Sequence, residues 1–100
     1  MALQLLNGVG AGVQSKVLDV RSVGTRMVPF IIYGGGTAAN PQTAPMVVEK
    51  APTPLGPFIN LGTINPPGGQ VLADEPIDYV RVTTDAAETG VVSAYVTTSR

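Results

Sequence analysis

IDYVRVTTDAAETGVVSAYVTT, residues 77–98, sets the structural class of this chain. In its first half Val80 and Val82 fall on one side of an extended backbone, and Tyr79, Arg81 and Thr83 on the other. In its second half Val92, Ala94 and Val96 share a side, opposite Val91, Ser93, Tyr95 and Thr97. Successive strand residues point to opposite faces. One apolar face and one mixed face mark an antiparallel sheet covered on a single side. The intervening residues 85–89, followed by Gly90, are short enough for a hairpin.

The same texture extends in both directions. Twelve glycines and nine prolines interrupt the chain at short intervals, leaving β-branched pieces of strand length and little room for helices. Strands are expected at 16–21, 26–33, 44–50, 57–64, 70–73, 77–84 and 90–97, with a candidate eighth at 2–6. The predicted fold is all-β: a jelly-roll-like antiparallel β-sandwich over residues 16–100, preceded by residues 1–15. That leading stretch, MALQLLNGVGAGVQS, is uncharged. It reads equally as an extended N-terminal arm or as a first strand.

Two apolar stretches, PFIIYG (29–34) and PFINLG (57–62), are built alike. Proline fixes the start, Phe and Ile supply packing, and the closing glycine is expected to take a positive φ. They are not repeats, since no longer self-similarity surrounds them. Pro29 removes a ladder donor, so the strand at 26–33 is expected at an edge or a bulge. An apolar edge strand needs a cover, from a neighbouring subunit or from the loop that follows it.

The chain of 100 residues is long enough for one domain, about 13 Å in radius of gyration if compact. Charged residues make up 13%, about half the usual ~25%, and net charge is −1. So little charge argues for surface buried in an assembly. It also gives no field to steer the protein to nucleic acid or to an anionic membrane. The start of the chain lacks the basic residues of a signal peptide.

Chemistry is scarce in this composition. Without histidine or cysteine the commonest general base and the best nucleophile are missing. Asp74, Glu75 and Asp78 match no metal-loop spacing and read as a solvated acidic turn. Gly34-Gly35-Gly36-Thr37 lacks the Lys-Ser/Thr of a phosphate loop. Tyr33, Tyr79 and Tyr95 are candidates for a sugar-stacking platform. Arg81, in mid-strand, is a solubilising charge if its face is exposed, and calls for a carboxylate such as Asp19 or Glu49 if a neighbour covers that face.

The order of segments resembles the small β-sandwich virion proteins of tailed bacteriophages. KVLDVRSVG is followed by an apolar strand, then by TAPMVVEKAPTPLGPFINLGTI, and last by DYVRVTTDAAETGVVSAYVTTS. The likeness runs from about residue 16 to 98 and rests on Val47-Val48-Glu49, 58–64, 78–83 and 90–96. An Asp-Gly turn usual after the third strand is here replaced by residues 51–56. The resemblance implies a non-enzymatic virion structural protein without cofactor, metal or small-molecule substrate. A capsid decoration protein comes first and a tail or head–tail connector second; a carbohydrate-binding module is the rival from another class. The implied partners are the major capsid protein and copies of the chain itself, a trimer included. The implied location is the capsid surface, after synthesis in the host cytoplasm. Contacts are expected at Leu3, Leu5, Leu6, Val9, Val13, Phe30 and Ile32, and then at Pro52, Pro54 and Leu55 in the proline-rich loop.

Overall fold

Eight strands and no helix are found in the described part of the chain, residues 3–21, 30–73, 75 and 77–98 of a computed structural model. They are β1 (Leu3–Val9), β2 (Leu18–Asp19), β3 (Phe30–Gly36), β4 (Met46–Ala51), β5 (Ile59–Ile64), β6 (Gly68–Ala73), β7 (Tyr79–Thr83) and β8 (Val92–Thr98). They form two antiparallel sheets of four strands, ordered β1-β8-β3-β6 and β2-β7-β4-β5. The pairings nest: β1 with β8, β2 with β7, β3 with β6 and β4 with β5.

The core is β-sandwich-like, with each sheet contributing its inward alternation. Val92, Ala94 and Val96 are fully buried from β8, as are Phe30 and Ile32 from β3. Val80 and Val82 of β7, Met46 and Val48 of β4 and Ile64 of β5 complete the same cluster. The period-two patterns of 77–84 and 90–97 therefore fold as the sequence dictates. Burying such side chains stabilises by about 1.5–3 kcal/mol each, before conformational entropy is subtracted.

Three expectations change. First, β7 and β8 do not form a hairpin, because they lie in different sheets. The connection is fastened to residues 40–44 instead: Val91 N–H donates to Asn40 O at 3.0 Å, and the Glu88 side chain binds Thr43 and Ala44. Second, β3 is not an edge strand. It lies between β8 and β6, paired on both sides from Phe30 onward; Pro29 itself falls outside the described residues. Third, of the two readings for residues 1–15, the extended arm gives way to the first strand over Leu3–Val9: β1 lies along β8 in the domain's own sheet, with two register irregularities.

The segment after β1 is also held by the sandwich. Thr84 Oγ1 accepts from Val13 N–H at 2.7 Å and donates to Gly10 O at 2.8 Å. Ser15 Oγ accepts from Val82 N–H at 2.9 Å, and Ser15 N–H donates to Val82 O at 2.8 Å. These bonds satisfy backbone groups that would otherwise be stranded where the chain crosses from one sheet to the other.

The two similar stretches have different fates. In the first, the closing glycines do not take positive φ. A Cβ on Gly34 would lie 2.2 Å from Ser93 O, and one on Gly36 2.2 Å from Gln42 N. Glycine is required there because neighbouring backbone comes too close. In the second, Gly62 does take a positive φ, 144°, beside the irregularity where Val48 pairs with Gly62 and Glu49 with Asn60. Such a kink in a ladder favours a residue without a side chain.

Candidate functional site

Four of the ten expected contact residues are spent on the core. Leu5, Leu6, Phe30 and Ile32 are all buried inside the chain, so their side chains present nothing to a partner in this fold. Leu3, Val9 and Val13 are partly buried and pack against the same core. The sequence pattern marked these residues correctly as apolar, but the sandwich itself buries the face they occupy.

Pro52, Pro54 and Leu55 are exposed, and Leu55 is 95% accessible. Their loop is ordered from within. Thr53 Oγ1 donates to Gly56 O at 2.7 Å and accepts from Leu55 N–H at 3.3 Å; Gly56 N–H donates to Thr53 O at 3.1 Å. Leu55 thus stands out on a hydrogen-bonded turn. Ile59, at the start of β5, is 53% exposed. A hollow of about 220 Å³ next to the loop is lined by Lys50 and Ala51 at the end of β4, and by Pro52, Ile59, Ile77 and Asp78.

Charge is divided between the sheets. β1, β3, β6 and β8 contain no charged residue. Asp19, Glu49, Lys50 and Arg81 all lie on strands of the second sheet. Arg81 is cross-strand from Glu49, and its Nε donates to Glu49 Oε1 at 2.8 Å. Its guanidinium lies over the Phe58 ring, 3.5 Å from the centroid. The two side chains are 20% and 21% exposed. The carboxylate foreseen for Arg81 is therefore present, and the cover is Phe58 of the same chain.

Nearby, Asp19 accepts from Arg21 Nε and Nη2 at 3.0 and 2.8 Å, and Arg21 lies 5.1 Å from the Tyr79 ring centre. The Arg21 side chain, helped by its backbone N–H, holds the Asp19 carboxyl down at about 2.

Of the acidic turn at 74–78, only part lies within the described residues. Glu75 is paired with Lys50, and Asp74 lies outside the described residues. No three potential ligands converge among the described residues.

Glu88 was invisible to sequence reasoning, which read it as a turn residue. It is 4% exposed. Its carboxylate accepts from Thr43 N–H, Thr43 Oγ1, Ala44 N–H and Gly90 N–H at 2.8–3.1 Å. Burial pushes its pKa up, but the four donors together outweigh that and leave it below its ordinary 4.5. No charged partner was there to be read in the sequence. The signal is geometric: three backbone N–H groups aimed at one point.

The tyrosines do not act together. Tyr79 belongs to the second sheet, beneath Arg21. Tyr33 and Tyr95 are cross-strand neighbours on the first, with ring centroids 5.4 Å apart and planes 26° apart. They border an open groove of about 430 Å³ floored by Gly35 and Gly68.

Comparison of this chain with protein-family models, with curated proteins and with solved structures found no match.

Proposed function

We propose that this chain is a non-enzymatic structural protein of a tailed-bacteriophage virion, a capsid decoration protein that docks on the head shell through loop 52–55. The observation that carries the proposal is Leu55, almost wholly exposed at the tip of a turn held by Thr53. A preorganised apolar prong loses little entropy on binding. Burying a leucine in a pocket of a shell subunit contributes about 1.5–3 kcal/mol, roughly ten- to a hundredfold in affinity. Pro52 and Pro54 stiffen the prong, and Ile59 lines the hollow beside it together with Pro52.

Two further features support this reading. The nested pairings 1/8, 2/7, 3/6 and 4/5 are those of a long hairpin rolled into two sheets, which favours a jelly roll. That architecture serves in viral capsids and in lectins. The segment order also resembles that of small phage virion proteins. In this reading the protein is made in the host cytoplasm and ends on the capsid surface, with a shell subunit as its partner.

Quantitative mass spectrometry of purified particles tests the proposal. A copy number comparable with that of the shell subunit is expected, and Leu55→Ser is expected to lower occupancy at least tenfold while leaving the fold intact. Recovery of only a handful of copies would assign the protein to the tail or neck. Failure to bind particles of any kind would remove the virion reading.

A further inference from the structure

A row of four side chains crosses the outer face of the first sheet. Gln4, Tyr95, Tyr33 and Gln70 are cross-strand neighbours in that order, one from each strand. Gln4 Nε2 donates to Tyr95 Oη at 3.3 Å, which leaves the Tyr95 proton free to donate outward. Beside this row the large side chains stop. The next positions on β8, β3 and β6 are Ser93, Gly35 and Gly68, and they form the floor of the 430 Å³ groove. The tyrosine pair is one wall, and Thr37 and Pro67 border the rest. No residue lining it is charged.

We propose that this groove binds a neutral saccharide. The C–H face of a sugar ring lies against the Tyr33–Tyr95 pair, and its hydroxyls bond to Gln70, Ser93 and the Tyr95 hydroxyl. An aromatic face is apolar and electron-rich, so it attracts the slightly positive C–H groups of a pyranose. Amide and hydroxyl groups at the rim match the ligand's own donors and acceptors. A phosphate, carboxylate or ammonium ligand would meet no counter-charge here and would lose its hydration.

A second copy of the chain fits less well. A two-fold contact sets the same patch against itself, and a hollow facing a hollow leaves a void that close packing does not tolerate. The site lies on the first sheet, whereas the docking prong lies beyond the second, so this inference does not depend on the virion reading.

The chain has three tyrosines and no tryptophan, so ring resonances report the groove directly. The full chain is screened on an array of neutral oligosaccharides: glucans, galactans, mannans, rhamnans and N-acetylglucosamine oligomers. The strongest hit is then titrated by NMR. Saturable binding is expected, with shifts at Tyr33 and Tyr95 and none at Tyr79. Tyr33→Ala and Tyr95→Ala should each weaken binding by about tenfold, whereas Tyr79→Ala should leave it unchanged. Gln70→Ala, at an exposed position on the edge strand, should weaken it severalfold and serves if a tyrosine variant fails to fold. The proposal is overturned if no array member binds saturably at millimolar concentration. It is equally overturned if binding ignores Tyr33, Tyr95 and Gln70, or if Tyr95→Ala abolishes a concentration-dependent dimer instead.

Discussion

Glu88 shows how much a single residue can hold. Its carboxylate gathers the backbone of Thr43, Ala44 and Gly90, and so ties the β7–β8 connection to the segment before β4. Glu88→Ala strands buried donors and is expected to cost on the order of 3 kcal/mol in urea unfolding at neutral pH. The folded-state pKa lies below 4.5, so the native protein resists protonation more than the unfolded chain. The stabilisation is fully present above pH 4.5 and is lost as pH falls below it towards the folded value. Wild type and Glu88→Gln should accordingly converge in stability as pH falls through that window. Glycines give a second residue-scale contrast. Gly36→Ala puts a Cβ 2.2 Å from Gln42 N, whereas Gly10→Ala meets nothing within 4 Å. The first is expected to lose about 3 kcal/mol or more and the second to stay near neutral, as read by thermal midpoints. Both are simply glycines in the sequence, because the crowding of Gly36 arises only when the following loop folds residues 40–42 back against it.

Among the strands, β1 and β7 each bring one face to the core and hold a contact that sets the rest. The sequence left 1–15 open between arm and strand. Leu5 and Leu6 go inward when β1 lies on β8. Deleting residues 1–9 removes both leucines and bares the β8 edge. At about 2–5 kcal/mol for each large core side chain, the loss approaches the whole stability of a small domain. The truncated chain is expected to lose its cooperative unfolding transition in circular dichroism; a detachable arm would leave that transition in place. On the outer face of β7, Arg81→Lys keeps the charge but loses the planar stack on Phe58 and the directed bond to Glu49. It should cost about 1–2 kcal/mol, and a double-mutant cycle with Phe58→Leu should show the two coupled. Alternation identified both faces of β7 and β8 from sequence. It could not show that the strands enter different sheets, because that depends on their ladder partners, β2 and β4 for β7 and β1 and β3 for β8.

For the whole molecule, the division of charge is the main physical fact. One sheet has none, while the other presents its ion pairs as internally matched sets. Docking through an uncharged prong should therefore hold its affinity as salt is raised. Co-sedimentation with shells at low and high salt checks this, and a steep loss with salt would point to a charged interface instead. Period-two alternation and turn residues act locally, so the all-β class, the approximate strands and the inward positions of β7 and β8 are legible before folding. The tertiary structure alone decided which apolar residues are core and which are surface. It also set the need for glycine at 34–36, the buried anchor at Glu88 and the pairing of Tyr33 with Tyr95. Apart from Gly36, crowded by the loop that follows it, these rest on groups far apart in the chain, whose meeting is set by sheet order and register.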